Sequence, residues 1–344
     1  MSENYTSVLW SAQKKTYDKI LWLGILLSIL SYAGFHLALH PESTIETVII
    51  RSTALTAFIL LHIILIIGPL CRINNLFLPL LYNRRHMGVS MFFLALIHGL
   101  FSILQFHALG DTNPLVSIFT SNKNYSAISE FPFQTLGFFA LLILFFMAAT
   151  SHDFWLKNLS PRIWKGLHMS VYLAYGLIVL HVALGALQYE SHPAYWVMLI
   201  GGFVSIAGLH LYSGWKSNKQ LTEDKNALKK DGFHEVCAID EINENCAKTV
   251  FINKENIAIF KYEGKVSAVH NVCKHQMGPL GEGKIIDGCI HCPWHGYQYL
   301  PENGQSPPPF TEKVKTYEVK VMDNKVWVNP NPKAEGTFVE PAKI

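Results

Sequence analysis

The sequence predicts a membrane bundle of six transmembrane α-helices followed by a small all-β domain. Apolar runs of about 18 or more residues, the length that crosses a bilayer, recur six times before residue 216. Beyond residue 231 the pattern changes to short alternating apolar runs separated by turn residues, as half-buried strands require. With 344 residues, 50% of them hydrophobic and only 15% charged, the chain is too apolar for one soluble domain. A formal net charge of +3 is too small to point to a nucleic-acid partner.

The six apolar runs lie near 20–39, 51–70, 88–108, 132–151, 166–188 and 194–214. A long polar-rich stretch precedes the first and no small-residue cleavage site follows it, so it reads as an anchor in the lipid bilayer and not as a signal peptide. Basic residues divide unevenly between the loops. One side carries Lys14, Lys15, Lys19, Arg72, Arg84, Arg85, Lys157, Arg162, Lys165, Lys216 and Lys219, the other only Arg51 and Lys123. The positive-inside rule then places both termini, and the β domain, on the cytoplasmic side of a cell (inner) membrane. Residues 216–231, KSNKQLTEDKNALKKD, are charged and weakly periodic and read as a linker or short surface helix. The expected organisation is thus a bundle over 1–215, a linker over 216–231 and a β domain with its tail over 232–344. Within that domain 249–252, 257–262, 266–269, 316–321 and 326–328 read as strands, with Glu263-Gly264 as a hairpin turn.

The stretch 271–299, NVCKHQMGPLGEGKIIDGCIHCPWHGYQY, carries the densest chemistry. Cys273 and His275 form a C-x-H pair and, after sixteen intervening residues, Cys292 and His295 form a C-x2-H pair. Two thiolates and two imidazoles in that interleaved order suit a [2Fe–2S] centre in which two histidines replace two cysteines on one iron. Zinc can take the same four donors, but zinc modules usually group them as C-x2–4-C and H-x3–5-H. Gly278-Pro279-Leu280 and Gly296 lie inside the two loops, and Gly304 followed by Pro307, Pro308 and Pro309 reads as a third, stiff covering loop. With these residues the chain closely resembles the Rieske family over roughly residues 232–330. The resemblance implies Cys273 and Cys292 on a buried iron and His275 and His295 on an exposed one. Respiratory members tie their ligand loops with a disulfide. The matching positions here are Gly278 and Trp294, so that bridge cannot form. Tyr299 stands at the usual Tyr position, whereas Tyr297 replaces the usual Ser. Fewer hydrogen bonds to sulfur stabilise the reduced state less, which places the potential in the lower half of the roughly −150 to +300 mV Rieske range. The pattern is similar to the ferredoxin-type Rieske proteins of dioxygenase systems and implies a cytoplasmic flavin-dependent reductase as electron donor. Cys71, Cys237, Cys246 and Cys289 show no pairing pattern and read as inert thiols in a reducing compartment.

Eleven of the sixteen histidines lie within or beside the six spans, where ionisable groups are costly and mark a pathway or cofactor. His86 and His98 share the third span, and His168 and His181 the fifth. Spacings of 12 and 13 separate the members of each pair by roughly 18–20 Å along a helix axis, enough for two stacked haems. They also leave the two histidines off a common face; fourteen would suit better, so a bulge, a tilt or another partner (His62 or His210) is required. The residues around them, Arg84-Arg85-His86-Met87-Gly88, Leu96-Ile97-His98-Gly99, Trp164-Lys165-Gly166-Leu167-His168-Met169, Tyr172 and Leu180-His181, resemble the ferric-reductase-like transmembrane domain over about 50–200. The resemblance implies b-type haem, one or two, and transmembrane electron transfer. It carries over best to His98, His168 and His181, while His86 sits where the family pattern is variable.

Toward the outer face, His36 and His40 precede Glu42 and Glu46, His107 precedes Asp111, and Glu190 precedes His192. They read as polar groups at the headgroup boundary or as ligands for a transition metal. A membrane di-iron desaturase is excluded because no adjacent histidine pair occurs, and a Rieske oxygenase, whose catalytic domain follows its Rieske module, is disfavoured. No G-x-G-x-x-G follows a strand, so nicotinamide and flavin come from elsewhere. The chain therefore reads as an oxidoreductase-type electron-transfer component without catalytic residues of its own. It would carry electrons from a cytoplasmic cluster through haem to an outer acceptor: a metal ion, oxygen, quinone or partner protein. A quinone-linked oxidoreductase and a membrane-anchored redox sensor are the alternatives.

Overall fold

The computed structural model describes residues 12–344 except 82, 122, 123, 125, 129, 130, 190, 191, 226–228, 276 and 295. For 12, 13, 75, 78, 153, 156, 157, 161, 189, 217 and 220–225 it describes the backbone alone. Lys123, Glu190 and His295 therefore lie outside the described residues, as does the side chain of Lys157. Contacts divide the chain into two units. One holds the described residues up to Ile66 together with Asn83–Leu209; the other holds those of Ile67–Tyr82 and His210–Ile344.

The N-terminal part is helical: α1 (Ala12–Leu39), α2 (Ile45–Ile73), a 3-10 turn (Asn75–Phe77) leading into α3 (Leu78–Leu81), α4 (Arg84–Phe106), α5 (Pro114–Thr120), α6 (Phe133–Ala149), α7 (Asp153–Asn158), α8 (Pro161–Met169), α9 (Val171–Leu184), α10 (Ala186–Tyr189) and α11 (Pro193–Lys225). Among the described residues, five segments are long and apolar enough to cross a membrane: Lys14–Leu39, Ile45–Ile73, Arg84–Phe106, Arg162–Gln188 and Pro193–Lys216. The remaining expected span, α6, has 17 residues, about 26 Å at 1.5 Å per residue against a hydrocarbon core of about 30 Å. It packs most extensively against α9 and next against α4, the helices that carry His181 and His98.

The fifth span is not one helix. It breaks at Ser170, which ends α8 and precedes α9 with φ −64 and ψ −7. The Ser170 hydroxyl donates to Leu167 O, the local competition with backbone bonding that serine offers inside a helix. His168 and His181 thus sit on different helical pieces, α8 and α9. Upstream, α8 starts where Ser160 accepts from Ile163 N at 3.4 Å, with Pro161 in the first turn. A second difference concerns 216–231. With no glycine or proline to stop it, α11 runs on to Lys225, so most of the expected linker is helix continuous with the last span.

The C-terminal part is all β: β1 (Lys229–Lys230), β2 (Phe233–Ala238), β3 (Ala247–Ile252), β4 (Glu255–Tyr262), β5 (Lys265–His270), β6 (Lys284–Ile286), β7 (Cys289–His291), β8 (Gln298–Tyr299), β9 (Thr316–Tyr317), β10 (Val319–Met322), β11 (Lys325–Val328) and β12 (Ala342–Lys343). They form antiparallel sheets ordered β1-β2-β11-β10, β12-β5-β4-β3 with β9 also on β5, and β6-β7-β8. Glu263 and Gly264, both at positive φ, make the expected turn between β4 and β5. The strand expected over 316–321 is instead two pieces in two sheets, β9 on β5 and β10 on β11. Thr316 and Tyr317 of β9 are both fully buried, so this short strand is covered on both faces. Strand β4 is buried on both faces. Ile257 and Ile259 enter one core with Val266, Val326 and Val328; Ala258 and Phe260 enter another with Cys273, Cys292 and Tyr299.

At the start of β4, Glu255 accepts from Tyr317 Oη at 2.7 Å and Lys315 Nζ at 3.0 Å, with His270 Nδ1 at 3.5 Å. Burial opposes its ionisation, but these hydrogen bonds and the Lys315 charge outweigh that and hold its pKa below the ordinary value. The ionised form therefore contributes stability that is complete above an ordinary carboxylate pKa of about 4.3 and is lost as pH falls below it. Denaturant melts of the β domain within the full chain should show a loss between about pH 6 and about pH 3.5 that Glu255→Gln makes smaller. An unchanged loss would assign the acid sensitivity to other groups.

Candidate metal centres

The two ligand loops are built alike. In the first, Cys273 O accepts from Met277 N at 2.8 Å and Cys273 N donates to Gly278 O at 2.9 Å. In the second, Cys292 O accepts from Gly296 N at 2.8 Å and Cys292 N donates to Tyr297 O at 2.8 Å. Each cysteine therefore closes a turn on the residues four and five positions later. Both are fully buried. A Cβ added at Gly278 would lie 2.8 Å from Cys292 Sγ and 3.2 Å from the Trp294 ring, so only glycine lets one loop approach the thiol of the other.

Tyr299 supplies the hydroxyl beside sulfur. Its Oη lies 3.4 Å from Cys273 Sγ and accepts from Lys274 N at 3.1 Å, which turns the phenol proton toward the sulfur. Burial, and then the adjacent Cys273, raise the Tyr299 pKa, so it stays a donor. Tyr297 acts differently. Its ring stacks on His275 at 4.8 Å and packs on Phe310 at 4.6 Å, while its hydroxyl donates to Glu312. The third loop, whose Gly304 N donates to Leu300 O at 2.8 Å, thus reaches the first through Tyr297, as a covering loop should. Glu312 and Asn271, which accepts from Gly281 N at 2.6 Å, have no sequence signal that singles them out. Among the described residues no three His, Cys, Asp or Glu side chains gather around one metal position; a cluster taking two protein ligands per iron asks for pairs. Buried matched thiols and a phenol donor fit an iron–sulfur group. Cys71, Cys237 and Cys246 are buried, Cys289 is half-buried, and none of them is in a disulfide.

In the helical part, His98 on α4 and His181 on α9 face each other with ring centroids 6.3 Å apart and planes at 76°. His98 Nδ1 donates to Ile50 O on α2 at 3.1 Å, and His181 Nδ1 to Phe133 O on α6 at 2.8 Å. A carbonyl can only accept, so both protons are on Nδ1 and each Nε2 is the basic atom a metal needs. Imidazole nitrogen sits about 2 Å from a first-row metal and about 1 Å from its ring centre, which places two rings on one iron about 6 Å apart. The pair fits haem iron.

The other predicted ligands are held separately. His168 Nδ1 donates to Trp164 O at 3.0 Å, its ring stacks on Trp164 at 3.8 Å, and Nε2 is 3.3 Å from Ser151 Oγ. His86 Nδ1 pairs with Asp18 of α1 at 2.9 Å, an acid that sequence reasoning passed over. His62 Nδ1 donates to Phe58 O at 2.8 Å and Nε2 is 3.1 Å from Tyr175 Oη; His210 lies on α11. At the expected outer ends, His36 Nε2 is 3.1 Å from Ser43 Oγ, His107 Nδ1 is 2.8 Å from Ser117 Oγ, and His40 lies 3.6 Å from Glu42. Glu282 accepts from Arg72 Nε at 3.1 Å.

Comparison with known proteins finds two families along the chain. Residues 232–318 match the family described as Rieske [2Fe-2S] domain, and 53–179 the family described as Ferric reductase like transmembrane component. The ferredoxin subunit of anthranilate 1,2-dioxygenase from Burkholderia cepacia is 33% identical over 98 residues, 28% of this chain and 91% of that protein. The chain belongs to the Rieske family, fused to a ferric-reductase-like transmembrane component. This fusion is also similar to the ferredoxin component of the alkene monooxygenase system of Xanthobacter autotrophicus, 27% identical over 101 residues, 29% of this chain and 83% of that protein. Among solved structures, a complex of reduced oxygenase and oxidized ferredoxin in carbazole 1,9a-dioxygenase is 24% identical, covers 31% of this chain and 100% of that one, and has a TM-score of 0.29.

Tyr299→Phe removes the hydroxyl beside Cys273. A hydrogen bond of about 1 kcal/mol that favours the reduced form corresponds to about 40 mV for one electron. An EPR-monitored redox titration should find the midpoint lower by about that much; an unmoved midpoint would show that the hydroxyl serves Lys274 alone.

Proposed function

We propose that this fusion carries single electrons across a membrane, from a Rieske centre on the cytoplasmic side, through b-type haem in the bundle, to an acceptor at the outer face. The observation that supports it best is the pair His98 and His181, whose rings lie 6.3 Å apart inside apolar helices with each Nδ1 bonded to a carbonyl, leaving Nε2 as the basic atom. Cys273, His275, Cys292 and His295 would hold the [2Fe–2S] cluster. His98 and His181 would hold one haem, and His168 and His86 are the candidates for a second. Bound there, these groups would supply one-electron carriers, which no side chain of the chain provides.

The protein's own residues do the rest. Buried loops keep water from Cys273 and Cys292, Tyr299 donates a hydrogen bond to the Cys273 sulfur, and Tyr297 holds the His275 ring. In the bundle, Ile50 and Phe133 carbonyls fix which nitrogen of His98 and His181 carries its proton. The inner-loop lysines and arginines support a cytoplasmic β domain in a cell inner membrane, with the bundle over 1–215, a connection over 216–231 and the Rieske domain over 232–344. The relatives are ferredoxin components of oxygenase systems, which favours a separate flavin-dependent reductase as donor. A metal ion, oxygen, quinone or partner protein would be the outer acceptor.

A reduced-minus-oxidised spectrum with a pyridine haemochrome count, taken on a sample whose cluster is quantified by EPR, tests the reading. One haem per cluster that disappears in both His98→Ala and His181→Ala is the minimum expected. A second haem, lost in His168→Ala, extends the path. Haem-free protein after expression with ample haem supply would overturn it.

A further inference from the structure

His181 is packed against a helix that contributes no predicted ligand. Its Nδ1 donates to the carbonyl of Phe133, the first residue of α6, and its ring lies 5.5 Å from the Phe133 ring. One turn further along the same face is Gly137. A Cβ built there would lie 2.8 Å from both Cε1 and Nδ1 of His181 and 3.3 Å from its Cγ. Those atoms are one edge of the imidazole, the edge that bears the Phe133 hydrogen bond. A methyl group could not be accommodated by a small tilt, because tilting away breaks that bond and turns Nε2. Gly185, four residues after His181, completes the contact: a Cβ there would lie 2.5 Å from the Phe133 ring and 2.8 Å from His181 O. Gly202 on α11 presses on His62 in the same way, whereas Gly176 on α9 and Gly201 on α11 have nothing within 4 Å of an added Cβ.

We infer that Phe133 and Gly137 of α6 form a positioning cradle for His181, with the carbonyl setting the tautomer and the missing side chain setting the ring's place. The inference rests on the reading of His181 as a haem ligand. It assigns Gly137 as a positioning residue: it touches the imidazole and acts on iron only through it. α6, at 17 residues, packs most extensively against α9. Its contribution is the close backbone approach that small residues permit between helices in a membrane. His98 has the corresponding carbonyl in Ile50 of α2, so each facing imidazole is oriented by a neighbouring helix.

The test uses the full-length haem-loaded protein with Gly137→Ala, and Gly176→Ala as the matched control. Gly137→Ala is expected to convert low-spin haem to high-spin in absorption and EPR spectra and to weaken haem retention by roughly tenfold, the low end for residues that orient a metal ligand. Added imidazole should restore the low-spin spectrum, since it replaces a displaced ring and not a lost fold. Gly176→Ala should match wild type. A wild-type spectrum in Gly137→Ala, or an equal change in Gly176→Ala, overturns the inference. If His181→Ala itself leaves the haem spectrum unchanged, the ligand assignment has failed instead. Should Gly137→Ala not accumulate in membranes, Gly185→Ala presses on the same cradle through Phe133. A smaller shift in the same direction then supports the inference, and no shift overturns it.

Discussion

Polar groups surrounded by hydrocarbon must find partners inside the protein, and the bundle meets that demand with backbone carbonyls. His62, His98, His168 and His181 each direct Nδ1 at a main-chain oxygen: Phe58, Ile50, Trp164 and Phe133. Two of these oxygens lie one turn back on the same helix and two belong to a neighbouring helix. The bond settles one nitrogen of each ring and leaves its electronic character at the other fixed. Helix packing follows from the same demand, because a carbonyl of another helix reaches an imidazole only where the backbones approach closely. That is what glycine beside His181 allows.

The β domain solves a related problem around sulfur. A thiolate in a dry core needs donors, and the two ligand loops supply a repeated set of turns in which each cysteine is bracketed by its own backbone bonds. Tyr299 adds a phenol proton on Cys273. Tyr297, placed where the family usually has Ser, takes its hydroxyl to Glu312 and gives its ring to His275. One aromatic thus tunes the sulfur while the other holds the ligand ring, a division that their two-residue spacing alone does not reveal.

Much of the fold was legible in the chain. Long apolar runs, alternating short runs and the Glu263-Gly264 turn survive in the structure, because each expresses a local rule. What local rules miss is where elements stop. Ser170 breaks a helix whose composition reads as continuous, α11 runs nine residues past Lys216, where its membrane-crossing segment ends, and the chain at Glu318 passes from one sheet to another. The last of these depends on a partner strand, β5, far away in sequence.

By itself the sequence determined the residue types able to hold redox metals, their grouping, and the membrane-crossing character of the first two-thirds of the chain, since donor chemistry and hydropathy are properties of residues. Tertiary structure decided which histidines meet. His98 faces His181, whereas His86 turns to Asp18 and His168 to Trp164 and Ser151. Spacing along one helix cannot foresee this, because the angle between rings on separate helices is set by how those helices pack and by which carbonyl each ring can reach.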